Sequence, residues 1–264
     1  MNSVITLVSD YGPGSPYTAA LLGSAMRLLP ETRVVEVSHH IPAFDLTQAA
    51  FILRSVYHQF PKGTIHLICL DTNISLHKQF LFIEADGHYF LGADNGIFSL
   101  LFDEMPSKVN KVLEAHFSLN DLFPEKNVFL PLVANFLSQG SLIGLAEPTQ
   151  VLTIKQGIQA TSVENIIKGT VLYVDGYQNA ITNISKELFD QICANRNFKL
   201  FYWGKHSIDR VSNQFYNGGI GEDLLLFNEN NYLMIAINRG RGAQLLGLKP
   251  GSKVVIEFEE VETL

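Results

Sequence analysis

The stretch VITLVSDYGPGSPYTAALLGSAMRLLPETRVVEV, residues 4–37, decides the fold of this chain. Residues 4–8 and 33–37 are short runs rich in β-branched side chains, which is typical of strands. Between them, residues 18–29 repeat apolar side chains at helical spacing. The stretch therefore predicts a strand, a helix and a second strand, with the two strands parallel and joined by a right-handed crossover.

The same alternation continues and predicts an α/β domain over residues 1–150. A helix is expected at 46–60, a strand at 64–70 and a helix at 128–140 that is closed by a glycine. The run FLFIEADGHYFLGA, residues 80–93, predicts a hairpin around an Asp-Gly turn. Strands that alternate with helices favour a mainly parallel sheet, whose ligands bind beyond the carboxyl ends of the strands.

The pattern changes in the second half of the chain. Residues 151–161 lack periodicity and are the expected linker. From 162 to 264 the sequence consists of short β-runs separated by turn residues, including KGTVLYVD, FKLFYW, YLMIAIN and SKVVIEFEE. Such a series predicts a β-barrel or sandwich. The predicted fold class is thus an N-terminal α/β domain with a mainly parallel sheet, followed by a smaller barrel-like β domain.

The composition excludes several classes of protein. The 264 residues carry a formal charge of −7 with only 17% charged side chains, so we expect no nucleic-acid partner. Apolar runs are far shorter than the roughly 20 residues of a spanning helix, and the N-terminus is typical of a strand rather than of a secretion signal. Cys69 and Cys193 stand apart without zinc-ligand spacing. We therefore expect a cytoplasmic protein with reduced thiols, no membrane span and no metal site.

Two carboxylates follow predicted strands at the ligand-binding edge of the sheet. Asp10 follows the first strand, where its two oxygens suit a pair of neighbouring hydroxyls such as those of a ribose; the alternative is a helix cap. Asp71 follows the third strand, and Lys78 lies in the same loop. A carboxylate that faces a cation in a cleft can orient and polarise a water molecule, whereas a surface ion pair is the alternative.

Two further loops carry polar side chains whose role is open. His39 and His40 stand at a strand end, where either is a candidate base or ligand. Successive strand residues face opposite ways, so the pair cannot easily share a metal, and structural histidines are the alternative. Asp94 and Asn95 lie in GADNGIFSL, which on its own indicates a hairpin turn or a helix start.

The C-terminal half contains two motifs suited to a nucleoside ligand. An Asp-Gly turn presents Asp175, Tyr177 and Asn179 together, and here an aromatic ring can stack on a heterocycle while an amide pairs with a purine edge. Arg239 and Arg241 lie in a glycine-flanked turn, and arginine binds carboxylates. Ordinary turns are the alternative for both motifs.

Six segments, in order along nearly the whole chain, resemble those of the S-adenosylmethionine (SAM) hydroxide adenosyltransferases, the adenosine-forming SAM hydrolases that are related to fluorinases and chlorinases. ITLVSDYG resembles the family's TTDFG opening, VVEVSHHIPAFDLTQAAFIL its I-V-D-(I/V)-(S/T)-H-x-(I/V) segment, and FPKGTIHLICLD its FPKGTVHVxVVDPGVG segment. GADNGIFSL resembles its PDNG loop, YVDGYQNAITNI its D-x-F-G-N-x-x-x-N motif, and IAINRGRGAQLLGLKPGSKV its A-V-N-x-G-x-A-A-x-x-L ending.

The resemblance implies a fold, an assembly and a set of ligand contacts. Members join an α/β N-terminal domain to a β C-terminal domain and form homotrimers, whose active sites lie between the N-terminal domain of one subunit and the C-terminal domain of the next. By resemblance, Asp10 holds the ribose hydroxyls and Asp175 the methionyl amine, while Tyr177 stacks on adenine and Asn179 binds its edge. The remaining implied substrate contacts are Tyr11, Asp94, Asn95, Asn238, Arg239, Arg241 and Ala243.

The implied reaction is an SN2 displacement in which water or hydroxide attacks the ribose C5′ of SAM and neutral methionine leaves the sulfonium. SAM is then the substrate, and the chemistry requires neither a metal nor a cofactor. In the family, an Asp, Arg and His set is thought to position the water. Asp71 matches the Asp and Lys78 stands at the position of the Arg, so these two are the expected catalytic residues.

This chain departs from the family pattern around the water. Thr72 to Ser75 replace P-G-V-G, and LFPEKN at 122–127 replaces T-F-H-G-R-D, so that Pro124 stands at the His position. Three interpretations stay open: a SAM hydrolase with a modified water site, a non-catalytic SAM- or adenosine-binding protein, and an adenosyltransferase that uses another nucleophile such as a halide. In the first, the two expected catalytic residues suffice or are assisted by Glu125, His77 or His116.

Overall fold

The computed structural model describes residues 3–73, 79–116, 118, 121–150, 152–203 and 206–260. The chain divides into two compact units, Met1–Gly157 and Ile158–Leu264. The division falls inside the stretch 151–161 that lacks periodicity. Residues just before the division pack on the first unit, since the Thr153 amide donates a hydrogen bond of 2.8 Å to Asp94 Oδ1.

The first unit is an α/β sandwich around a sheet of seven strands in the order β2-β1-β3-β5-β4-β6-β7. Strands β1, β2, β3 and β5 pair in parallel, whereas β4, β6 and β7 pair antiparallel. The strands are β1 (Val4–Ser9), β2 (Arg33–Ser38), β3 (Ile65–Cys69), β4 (Phe80–Ala85), β5 (His88–Ala93), β6 (Lys108–Val112) and β7 (Ala146–Pro148). The helices are α1 (Pro16–Leu28), α2 (Leu46–Val56), α3 (Ile97–Leu101) and α4 (Leu130–Gln139).

Both faces of this sheet are covered, and every residue of β3 is buried. Successive strand residues point to opposite faces, so Leu67 packs in the core that includes α1 and α4, while Ile68 packs in the core that includes α2 and α3. This arrangement explains why the parallel strands are continuous apolar runs in the sequence. It also leaves the carboxyl ends of the strands as the edge where polar side chains gather.

The helix ends follow local sequence signals. Ser15 caps α1 by accepting from the Tyr17 amide, with Pro16 at the first helical position, and Asp45 caps α2 by accepting from the Gln48 amide at 2.9 Å. The cap of α1 is therefore Ser15, and the alternative of Asp10 as the cap is wrong. Ahead of α4 the chain makes a π-helical turn at Glu125–Phe129, a feature that is frequent at functional sites.

The second unit is an antiparallel barrel-like domain of eight strands. Seven follow the order β12-β11-β15-β9-β10-β14-β13, and β8 pairs with β9. A bridge between Val211 and Leu225 brings the two ends of this path together. The strands are β8 (Thr161–Val163), β9 (Ile166–Val174), β10 (Ala180–Ser185), β11 (Phe198–Trp203), β12 (His206–Ile208), β13 (Asp223–Phe227), β14 (Tyr232–Ile237) and β15 (Lys253–Phe258), with helices α5 (Lys186–Cys193) and α6 (Gly242–Leu245).

These two architectures confirm the predicted fold class. The hairpin expected at 80–93 is also confirmed, because β4 and β5 pair antiparallel around Asp86 and Gly87. Across the described part of the chain, no helix combines the length and the apolar character that crossing a membrane requires.

Candidate active site

The carboxyl ends of β1, β3 and β5 bring the predicted polar residues of the first unit to one edge. Strand β3 pairs in parallel with both neighbours, with Ser9 opposite Cys69 and Ile68 opposite Gly92. The segments that carry Asp10, Asp71 and Asp94 begin directly beyond these strands. The topology therefore places on neighbouring loops the carboxylates that the sequence spreads over more than eighty positions.

Asp10 is held at this edge by the loop after β2. Its Oδ2 accepts a hydrogen bond of 2.8 Å from the Phe44 amide, and the Gly12 amide donates to His39 O at 2.9 Å. Gly12 has φ +82°, a conformation that favours glycine. A cavity of about 330 Å³ adjoins this loop, lined by residues that include Gly12, Thr18, Glu36 and His39.

His39 is engaged within the first unit. Its Nδ1 lies 2.6 Å from Ser9 Oγ, and its Nε2 lies 3.1 Å from Glu36 Oε2. Burial lowers the pKa of His39, and the Glu36 carboxylate opposes that shift. These contacts favour a structural histidine, while His40 is exposed. Within the described ranges, no group of three or more His, Cys, Asp or Glu side chains is arranged to hold a metal.

Asp71 follows β3 in a left-handed backbone conformation with φ +45°. Such a conformation is uncommon outside glycine and is tolerated best by Asp and Asn. It turns the chain sharply at the point where the predicted water-positioning carboxylate stands. Lys78, the second predicted catalytic residue, and His77 lie outside the described residues.

Asp94 and Asn95 are buried and tie the loop after β5 to its surroundings. The side-chain Nδ2 of Asn95 donates to Leu70 O at 2.9 Å, and its Oδ1 accepts from the Ile97 backbone amide at 3.1 Å. Asp94 Oδ1 is the acceptor for the Thr153 amide. The two side chains therefore fix the shape of this edge.

Glu125, predicted from the sequence only as an assisting group, lies buried at this edge of the sheet. The residue is 3% exposed, and its carboxyl group accepts a hydrogen bond from the Thr72 hydroxyl. Burial is the main cause that raises the pKa of Glu125, and the nearby Asp10 adds to the shift. The buried Tyr11 hydroxyl lies beside this carboxyl, although among the described residues none accepts or donates a hydrogen bond of standard geometry to it.

Tyr11 belongs to a cluster of three aromatic rings with Tyr17 and Phe123. Tyr11 and Phe123 meet edge to face at 6.0 Å between ring centroids, and Tyr17 meets Phe123 edge to face at 5.4 Å. Burial raises the pKa of Tyr11 far above its ordinary value, so its hydroxyl stays protonated at physiological pH. His116, the other assisting candidate, lies 2.7 Å from Gly144 O through its Nε2.

In the second unit, the Asp-Gly turn after β9 is held by its own carboxylate. Asp175 Oδ1 accepts from the amides of Tyr177 and Asn179 at 2.9 and 2.8 Å, and Oδ2 accepts from Asn179 Nδ2 at 2.9 Å. Asn179 is buried in this network, whereas Tyr177 is 84% exposed. The turn therefore presents an exposed aromatic ring on a backbone that hydrogen bonds hold in place.

The segment after β14 packs against this turn. The Ala243 amide donates to Gln178 O at 2.6 Å, and the Asn238 side-chain amide donates to Gly218 O at 2.8 Å. Gly240 permits the close return of the chain, because a Cβ there would lie 2.4 Å from Ile237 Cγ2. The two C-terminal motifs, which are separate in sequence, thus form one structural unit.

Together these segments line an open cleft of about 970 Å³. Two aromatic side chains that sequence reasoning missed, Phe215 and Tyr216, line it from the turn at Phe215–Asn217 and are both exposed. The sequence signal that could have pointed to them is the pair of adjacent aromatic residues in a polar, glycine-rich segment. The predicted residues that line the cleft are Tyr177, Asn179, Asn238, Arg239 and Arg241; Asp175 supports it from behind, and Ala243 is buried.

Comparison with known protein families establishes the family of the chain. The model of the SAM hydroxide adenosyltransferase N-terminal domain matches residues 5–146, and that of the C-terminal domain matches residues 169–255. The chain belongs to the SAM hydroxide adenosyltransferase family. The resemblance drawn from the six sequence segments is thereby confirmed.

Relatives of this chain match over most of their length. An (R)-S-adenosyl-L-methionine hydrolase of Methanocaldococcus jannaschii is 25% identical over 70% of this chain and 68% of its own. Another of that name, from Salinispora tropica, is 24% identical over 95% of this chain and 96% of its own. The crystal structure of an uncharacterized conserved protein of Thermotoga maritima superposes with a TM-score of 0.85 at 21% identity, over 96% of this chain and 99% of that one, and shows the shared fold.

Proposed function

We propose that this chain hydrolyses SAM to adenosine and methionine, by attack of water or hydroxide on the ribose C5′. The observation that carries the proposal is the cleft of the second unit, where an exposed aromatic ring, a buried amide and two arginines converge. Relatives that are named SAM hydrolases and match nearly the whole chain support the same reaction. No metal or cofactor is part of the proposal.

The cleft of the second unit suits the two ends of SAM, which are the adenine and the methionine carboxylate and ammonium. Tyr177 would stack on adenine and Asn179 would bind its edge, since the ring is exposed and the amide is fixed. Arg239 and Arg241 are suited to the methionine carboxylate. Asp175 already accepts three hydrogen bonds, and a carboxylate with about four acceptor sites retains capacity for the methionyl ammonium. Asn238 and Ala243 would complete the wall of the cleft.

The acidic edge of the first unit suits the reacting part of SAM, which is the ribose with its C5′ and the neighbouring sulfonium. Asp10 would bind the ribose hydroxyls, with Tyr11, Asp94 and Asn95 shaping the pocket around them. Asp71 and Lys78 would position the water. Because the sulfonium is already a good leaving group, the protein mainly needs to orient and desolvate the nucleophile. Carboxylates at this edge also attract a cationic substrate.

One observation favours a second function, that of a SAM- or adenosine-binding protein without turnover. Pro124 begins the turn where the family has its His, and a proline side chain neither donates nor accepts a hydrogen bond. The third interpretation, transfer to a halide, is disfavoured by the carboxyl groups of Asp71 and Glu125, which repel an anion when they are ionised.

Incubation of the purified protein with SAM, with chloride present and absent, tests the proposal. We expect adenosine and methionine by chromatography, in equal amounts and independent of chloride, and we expect Asp71→Asn to abolish the release. Asp103→Asn is the matched control, because Asp103 is an exposed partner of Arg54 on the surface of the first unit. Tight SAM binding without adenosine would support the binding protein instead, and a halogenated adenosine would support the transferase.

A homotrimer with active sites shared between subunits remains part of the proposal, by family resemblance. The cytoplasmic location also stays a prediction, and it agrees with Cys69 and Cys193 being free thiols.

A further inference from the structure

Two positions at which this chain departs from its family meet in the folded structure. Thr72 occupies the Pro position of D-P-G-V-G, and Glu125 occupies the Gly position of T-F-H-G-R-D. They are 53 positions apart in sequence, yet the Thr72 hydroxyl donates a hydrogen bond to Glu125 Oε1. The two exchanges have therefore produced one contact, beside the position where Pro124 replaces the family His.

This contact is built into the interior. Thr72 is 7% exposed and follows Asp71 directly, while Glu125 is 3% exposed and starts the π-helical turn before α4. Within the described part of the chain, the titratable groups that face Glu125 are Asp10, Tyr11 and Cys69. None of these is a cation. A carboxyl group buried among such neighbours is costly for the fold, and titratable groups in environments of this kind cluster at functional sites.

We propose that Thr72 and Glu125 form a proton relay for the nucleophilic water, in place of the family His. The inference rests on the proposed hydrolysis of SAM. A hydroxyl that donates one hydrogen bond keeps two acceptor lone pairs, so Thr72 Oγ1 can accept a hydrogen bond from a water held by Asp71. Glu125 is thus a positioning residue that acts through Thr72.

The step balances in atoms and charge. As the bond from the water oxygen to C5′ forms, the C5′–S bond breaks and its electron pair stays on sulfur. The water proton passes to Thr72 Oγ1, and the Thr72 proton passes to Glu125 Oε1. The sulfonium charge and the carboxylate charge disappear together, which leaves adenosine, neutral methionine and a protonated Glu125 that returns its proton to solvent.

Burial also tunes the relay. It raises the pKa of Glu125 above its usual range, with Asp10 acting in the same direction and the hydrogen bond from Thr72 acting against it. A base whose pKa lies closer to neutral accepts a proton more readily at physiological pH. The rate is therefore expected to fall as the pH falls through the pKa of this group.

The test measures kcat and KM for SAM across pH in the full-length protein. Glu125→Gln and Thr72→Val are expected to lower kcat by about 100-fold or more, the usual scale of a lost acid–base group, with little change in KM. Thr72→Ser restores the hydroxyl and should recover much of the loss. In Glu125→Gln the fall of kcat in acid should begin at a lower pH than in the wild type, because the other carboxylates of the site remain. Glu84→Gln, which alters a surface pair with Lys108, is the control and keeps the wild-type profile.

The possible outcomes distinguish a failure of the proposed relay from a failure of the proposed hydrolysis. Near-normal kcat in Glu125→Gln or Thr72→Val, with adenosine still formed, would overturn the relay alone. A reduced rate in Glu125→Gln whose fall in acid begins at the same pH as in the wild type would assign Glu125 a purely structural role and would overturn the relay as well. Absence of adenosine from the wild type would overturn the hydrolysis and the relay together. Thermal midpoints of all variants check that each protein is folded.

Discussion

At the scale of single residues, Tyr177 gives the clearest prediction about the ligand, because its ring stands exposed on a turn that the Asp175 network holds in place. Stacking of a base on an aromatic ring contributes about 1–3 kcal/mol. Tyr177→Ala should therefore raise KM for SAM by roughly tenfold or more and leave kcat nearly unchanged, since the adenine contact is the same in substrate and transition state. Steady-state kinetics measure both, with Tyr177→Phe as the control that keeps the ring; an unchanged KM would exclude stacking.

Two buried histidines make the stability of the first unit depend on pH. His66 and His88 are fully buried, with His66 Nδ1 2.7 Å from Thr6 Oγ1 and His66 Nε2 3.2 Å from His88 Nδ1. Burial, and then the neighbouring His88, lower the pKa of His66 to about 3. The unfolded chain binds a proton at a pKa of about 6.5, while the folded one stays neutral. The free energy of unfolding therefore contains the full contribution of this histidine above about pH 6.5, and the contribution is lost as the pH falls from there toward 3.

The decline is measurable as the free energy of unfolding in urea at successive pH values. Each such histidine contributes a slope of up to about 1.4 kcal/mol per pH unit. His66→Asn should reduce the slope, whereas the exposed His40→Asn should keep it. A flat profile between neutral and moderately acidic pH would contradict the account of buried neutral histidines.

At the scale of elements, the turn after β14 depends on Gly240. A methyl group there would lie 2.4 Å from Ile237 Cγ2, and the branched Ile237 side chain has few ways to move aside. Gly240→Ala should lower the free energy of unfolding by about 1–3 kcal/mol and raise KM for SAM, because the turn lines the cleft. Gly23→Ala is the matched control: no atom lies near its Cβ position in α1, so stability should rise slightly. Equal stability of Gly240→Ala and wild type would contradict the packing argument.

The elements also show what sequence alone predicts. Periodicity located the longer strands of both units and the helices α1, α2 and α4, because burial on one or both faces imposes a regular pattern. It did not locate the short strands β6, β7, β8 and β12, which have only three to five residues each. Helix α5 escaped notice, since its eight residues between β-runs give only two turns of pattern. The contact of Thr72 with Glu125 and the aromatic pair Phe215 and Tyr216 were not predictable, because they depend on which loops meet after folding.

At the scale of the whole molecule, the proposed trimer predicts complementation between two inactive or weakened variants. Asp71→Asn alters the first unit and Tyr177→Ala the second. If active sites are shared between subunits, mixed trimers contain sites in which both units are wild type, so activity at low SAM should exceed the average of the two parents. Activity equal to that average, or a monomeric mass by light scattering, would contradict the shared site.

The central claim is that the oxygen of water becomes the 5′ oxygen of adenosine. It is tested most directly by turning over SAM in water labelled with heavy oxygen and analysing both products by mass spectrometry. The account predicts the label in adenosine, at the ribose 5′ position, and unlabelled methionine. Adenosine without the label, or no adenosine from a protein that binds SAM, would contradict it.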